Sequence, residues 1–117
     1  MSMKMRMREV NGALIIDLSG QITLGEACAT VRDEVRFQLR EGSRKLLLNM
    51  ADVTYIDSAG LGALTAAYTS VKNHHGELKL LNLTKHVHDL MQITKLSTIF
   101  DVYDDELKAL TSFGSLT

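Results

Sequence analysis

Apolar and polar residues alternate at the start of the chain. Met3, Met5 and Met7 fall on one side of an extended backbone and Lys4, Arg6 and Arg8 on the other, the period-two pattern of a strand. Asn11-Gly12 supplies two residues tolerant of positive φ for a tight turn, and Ala13 to Leu18 makes the return strand, ended by Ser19-Gly20. From Leu24 the period lengthens. Leu24, Cys28, Val31, Val35 and Leu39 recur at spacings of three and four, with Arg32, Asp33, Arg36 and Arg40 opposite, which predicts an amphipathic helix closed by Gly42. Lys45 to Met50 holds three consecutive leucines without polar alternation, as expected of a central strand covered on both faces.

A loop is expected over residues 51–57. A second helix then opens at Ser58, with Leu61, Leu64, Tyr68 and Val71 as its buried stripe and Lys72, His74 and His75 near a C-terminus closed by Gly76. Glu77 to Leu83 reads as a strand. Thr84 can cap a third helix bearing Val87, Leu90, Met91 and Thr94 on one face. Ile99 to Tyr103 makes a last short strand. Asp104-Asp105-Glu106 puts acid in the first turn of a terminal helix docked by Leu107 and Leu110, and Ser112 to Thr117 are expected to fray. The order β-β-α-β-α-β-α-β-α predicts an α/β fold: one mixed, mostly parallel β-sheet packed with α-helices, an N-terminal β-hairpin and right-handed crossovers.

Composition narrows the function classes. The 117 residues fit one domain, residues 1–117 with a core over about 3–112. A net charge of −1 lacks the basic face that nucleic acid requires. No apolar run approaches the roughly 20 residues of a membrane span, so membrane insertion is not expected. The single cysteine excludes an internal disulfide and suits a reducing compartment, so the cytoplasm is the expected location.

The most unusual stretch is Asp57-Ser58-Ala59-Gly60-Leu61-Gly62, after a buried strand and a short loop. Ser58 stands where a helix N-cap belongs. Unpaired backbone N–H groups there attract anions, and small neighbours allow close approach. Each glycine inside a helix costs about 0.5–1 kcal/mol relative to alanine, so two in the first turns call for a reason. Serine capping and close helix–strand packing would account for the same residues.

Val53 to Gly62, reading Val-Thr-Tyr-Ile-Asp-Ser-Ala-Gly-Leu-Gly, closely resembles the signature of the bacterial anti-sigma factor antagonists of the STAS family. Gly20-Gln21-Ile22-Thr23 resembles that family's glycine-containing loop after the second strand, Gly76 to Leu81 its fourth strand, and Leu96 to Tyr103 with Ala109-Leu110 its C-terminal end. The resemblance covers nearly the whole chain and implies a single STAS domain. It implies a regulatory protein rather than an enzyme, with no cofactor, in which Ser58 is phosphorylated by an anti-sigma factor with serine kinase activity. A serine phosphatase would reverse the modification. Unphosphorylated, the chain would bind the anti-sigma factor and release a sigma factor; phosphorylated, it would not. The implied partner surface is Gly20, Gln21, Ile22, Thr23, Asp57, Ser58, Ala59, Gly60, Leu61 and Gly62. Thr23 departs from the family, where many antagonists carry aspartate. Asp57 has two readings: it orients the serine or helps hold a partner's magnesium, or it is a turn residue bonding the backbone. Thr54 is a candidate second phosphosite, although a threonine in such a place is more often simply a β-branched loop residue. The alternative function within the family is an accessory subunit of a lipid-transport ABC system or a stress-sensing scaffold.

Other signals carry less. His86 and His88 are two apart and cannot share one helix face, and no cysteine pair accompanies the four histidines, so no metal is expected. Cys28 lies on an apolar stripe and reads as a buried, inert thiol. No phosphate loop ending in Lys and Ser or Thr is present.

Overall fold

The computed structural model describes residues 3–113. Five strands form one sheet in the order β1-β2-β3-β4-β5: β1 (Lys4–Val10), β2 (Ala13–Ile22), β3 (Lys45–Ile56), β4 (Glu77–Leu81) and β5 (Asp101–Tyr103). β1 and β2 are the antiparallel hairpin, turning at Asn11 and Gly12, both at positive φ. The remaining pairs are parallel, joined through α1 (Glu26–Arg40), α2 (Ser58–Asn73) and α3 (Lys85–Thr94), with α4 (Glu106–Ser112) at the end. The α/β fold with its mixed, mostly parallel sheet and N-terminal hairpin is the one expected. Among the described residues no helix is long and apolar enough to cross a membrane.

The three leucines of β3 explain the layering. Leu46 and Leu48 enter a large core shared with Cys28, Val31, Val35 and Leu39 of α1, Leu61, Leu64 and Val71 of α2, and Val87 and Met91 of α3. Leu47 points to the other face, into a smaller core with Ile15, Leu81, Ala109 and Phe113. The terminal helix is therefore held by Ala109, with Leu110 partly buried, while Leu107 is exposed. Phe113 is buried as well, so packing continues past Ser112; residues 114–117, also expected to fray, lie outside the described residues. On the same face Arg8 donates to Asp17 at 2.6 and 2.9 Å and to Glu106 at 2.9 Å, tying the hairpin to α4. That pairing holds the Asp17 carboxyl below the usual aspartate range.

Two strands run further than the sequence pattern suggests. β2 does not end at Ser19-Gly20 but continues to Ile22, and residues 51–56 are strand rather than loop. From Asp17 to Ile22 the pairing is irregular: Ser19 faces Asp52 and Gln21 faces Tyr55, so β3 carries extra residues relative to β2 at two points. Such bulges bend a strand and redirect its side chains. They also destroy its period. Met50, Val53 and Ile56 are the buried positions, spaced by three rather than two.

Chain reversals differ from expectation in one instructive place. After α2 the left-handed residue is His75, at φ 64°, not Gly76. Gly76 is needed for space instead, since a Cβ there would lie 2.6 Å from the Arg44 carbonyl oxygen and 2.9 Å from the Val71 side chain.

Candidate functional site

The ends of β2 and β3 lead into two adjacent segments, Thr23–Gly25 before α1 and Asp57 before α2. The cap of α2 is Asp57, not Ser58. Its backbone is extended and its Oδ1 accepts from the Gly60 N–H at 2.8 Å, the standard role of a short acidic side chain at a helix start. Ser58 is thereby the first residue of the helix and is exposed. Of the two readings of Asp57, the backbone-bonding one is the observed geometry.

The second oxygen of Asp57 does something a cap does not require. Oδ2 accepts from the backbone N–H of Leu24 at 3.0 Å, joining the two segments. The Gly60 amide, then the Leu24 amide, hold the carboxyl below the usual aspartate range, because hydrogen bonds to the charged form favour it. Around this link, the Asp57 N–H donates to the Ile22 carbonyl at 3.4 Å, the Thr54 hydroxyl to the Gly20 carbonyl at 3.2 Å, and the Cys28 thiol to the Thr23 carbonyl at 3.1 Å. Cys28 is buried, and that burial pushes its thiol pKa up.

The two glycines of α2 divide the work. Gly60 is buried directly over β2: a Cβ there would overlap the Ile22 carbonyl oxygen and lie 2.5 Å from the Ile56 side chain. Gly62 is exposed, with nothing within 4 Å of where its Cβ would be. Leu61 is buried and Ala59 partly buried. Of the residues expected to share one surface, Ser58 and Gly62 are exposed, and Gly20, Gln21, Thr23, Asp57 and Ala59 reach solvent in part. Ile22, Gly60 and Leu61 form its floor. Gly20 to Ile22 belong to β2, so only Thr23 of that segment is loop. Thr54 is exposed on the bulged part of β3.

Three neighbours are not expected at this site from the sequence. Leu24 was expected on the buried stripe of α1 and is instead 81% exposed. The helix begins only after Gly25, at φ 111°, so Leu24 lies outside its period; the glycine two residues after Thr23 was the available signal. Tyr55 is half-exposed and stacks on His86, centroids 4.9 Å apart and planes 18° apart. His86 Nε2 lies 3.1 Å from the Ile56 carbonyl oxygen, so the first turn of α3 borders the same end of the sheet. No pattern in one strand could have announced a stacking partner far along the chain in another element.

One expected outcome follows from Asp57. Its pKa is lower folded than unfolded, so the stability it adds is complete above the ordinary aspartate range and is lost as pH falls through the depressed folded value. Urea midpoints of wild type and Asp57→Asn should therefore converge on the acid side, below about pH 4, and stay separated by a constant gap near neutrality. A constant gap down to about pH 2 would show that the carboxylate charge contributes nothing.

Fold and site together define a single α/β domain whose most unusual surface lies at the C-terminal ends of its central parallel strands. The family model for the STAS domain matches residues 4–109, and the chain belongs to that family. It is 28% identical over 116 residues to an anti-sigma F factor antagonist of Paenibacillus polymyxa, covering 95% of each chain. It is 30% identical over 102 residues to an anti-sigma-B factor antagonist of Bacillus subtilis, covering 87% of this chain and 92% of that one. Among solved structures it superposes on the Bacillus cell fate determinant SpoIIAA in its phosphorylated form with a TM-score of 0.72, covering 93% of this chain and 98% of that one; at 17% identity this bears on the fold alone.

Proposed function

We propose that this protein is an anti-sigma factor antagonist that works by partner switching, with Ser58 as its phosphorylation site. Unmodified, it binds an anti-sigma factor that is also a serine kinase, and the sigma factor is released. Phosphorylated, it lets the anti-sigma factor go, and a serine phosphatase restores it. The observation that carries this reading is the exposed hydroxyl at the first position of α2, beside a glycine, Gly62, that nothing inside the molecule requires. A helical glycine with open space above it costs stability and leaves room for a second protein to lie against the helix. The two relatives, both anti-sigma factor antagonists by name, point to the same role.

The chemistry asks little of this chain. The kinase brings nucleotide, metal and base. The γ-phosphoryl group passes to Ser58 Oγ as its bond to ADP breaks, and the hydroxyl proton leaves to the kinase. Asp57 is unsuited to take that proton, since both its oxygens already face backbone amides. This chain is the substrate.

The test is intact-mass measurement after incubation with each purified anti-sigma factor of the source organism, ATP and magnesium. Wild type should gain one phosphate and Ser58→Ala none. A phosphate acquired equally by Ser58→Ala, at Thr54 or elsewhere, would assign the modification to another residue and overturn the site.

A further inference from the structure

Leu24 is the most exposed large apolar side chain of the described residues, at 81%, and its surroundings do not let it retreat. Two hydrogen bonds fix the segment that carries it, at the Thr23 carbonyl and at its own amide, and two more hold the end of β2 that leads into it, at the Gly20 and Ile22 carbonyls. The donors and acceptors that hold it are Thr54, Asp57 and Cys28, two of them within four residues of Ser58. We infer that Leu24 is an apolar anchor for the anti-sigma factor, filling an apolar pocket beside that partner's kinase site, and that Asp57 is the positioning residue that holds it out. This rests on the function proposed above and adds what makes recognition selective: a small-residue helix end to be phosphorylated, and a rigidly presented leucine next to it.

The physical argument concerns ordering as much as area. An exposed leucine on a loose loop would lose loop and side-chain freedom on binding, and that loss subtracts from affinity. Here the backbone is fixed before the partner arrives. Continuity favours the same occupant, because Asp57 bonds the amide of Leu24 with one oxygen and the first turn of the Ser58 helix with the other. A partner that reaches Ser58 therefore meets a leucine whose position is set by the neighbouring residue.

Two variants separate the parts. Leu24→Ser removes the anchor and should weaken binding of the phosphorylating anti-sigma factor about tenfold to a hundredfold, the value of burying a leucine side chain. In phosphorylation kinetics it should raise KM with kcat unchanged, since the anchor holds substrate and transition state alike. Asp57→Asn keeps an oxygen for the Gly60 amide, and asparagine caps helices as well as aspartate does. Its NH2 group, however, opposes the Leu24 N–H, donor against donor. Amide exchange at Leu24 should accelerate in this variant while exchange along α2 stays slow, and affinity should fall several-fold. Equal binding by Leu24→Ser and wild type overturns the anchor alone, and unchanged Leu24 exchange in Asp57→Asn overturns the positioning role. Failure of wild type to bind any anti-sigma factor overturns the functional reading itself.

Discussion

Replacing Gly60 by alanine should cost the fold at least about 3 kcal/mol, at or beyond the upper end of the usual range for overpacking. The added methyl would overlap the Ile22 carbonyl oxygen, lie 3.1 Å from the Ile22 carbonyl carbon and 2.5 Å from the Ile56 side chain. An overpacked site in a flexible core relaxes by rotating a side chain; this one faces main chain. That main chain is also engaged, because the Ile22 carbonyl accepts the Asp57 N–H. Relief therefore means lifting the first turn of α2 from β2, which breaks the cap and exposes Leu61 and Leu64, both buried. For a domain holding about 5–15 kcal/mol in total, the melting temperature should fall by roughly 12 °C or more. Gly62→Ala, two residues on, should do the reverse. Its Cβ meets nothing within 4 Å, so the helix gains about 0.5–1 kcal/mol and melts a few degrees higher. Thermal and urea unfolding of the pair check both signs. A Gly60→Ala protein melting with wild type would mean that α2 does not approach β2 so closely.

Those two glycines are indistinguishable as letters, and they mark the limit of what the pattern could convey. Periodicity was sufficient wherever one residue's environment repeats down an element: the β1 alternation, the α1 stripe from Cys28 to Leu39 and the three leucines of β3 with a helix layer on each face. It failed where pairing is irregular. Extra residues in β3 opposite Asp17 to Gln21 shift the side-chain phase, so a strand of buried Met50, Val53 and Ile56 has the pattern of a loop. It also failed by one or two residues at two helix boundaries, with large effect. Assigning the cap to Ser58 instead of Asp57 hid the carboxylate's second bond to Leu24, and starting α1 at Leu24 instead of Glu26 buried a residue that stands in water. The segment that carries the candidate chemistry was visible from its composition, whereas the link between its two halves is a tertiary contact across thirty-three positions. Lys79 is a parallel case. It is buried beside Asp101 at 3.2 Å and lies over the Tyr103 and Phe113 rings at 5.5 and 5.3 Å, partners that no local window contains.

Phosphorylated at Ser58, the protein should bind its anti-sigma factor at least about a hundredfold more weakly than the unmodified form, while melting within a few degrees of it. The two halves of this expectation come from the same helix end. A phosphoserine brings about −1.5 to −2 charges, and a helix N-terminus favours anions by about 0.3–1 kcal/mol at an exposed site, so folding is hardly disturbed. The benefit is reduced here, because the Gly60 amide is already taken by Asp57 and that carboxylate, held ionised well into the acid range, repels the newcomer. At an interface the terms change. A dianion pressed against a packed surface must shed water, a cost of several kcal/mol for a single ion unless the partner supplies compensating charge, and about 3 kcal/mol is already more than a hundredfold in affinity. The desolvation cost exceeds the dipole gain several times over, so the modification acts on binding and spares the fold. Calorimetric titration of both forms against the same anti-sigma factor measures the ratio, and Ser58→Asp, with a single charge on a shorter side chain, should fall between them. Equal affinities for the two forms would mean that α2 opens to solvent in the complex, and that Ser58 lies outside the contact it is proposed to control.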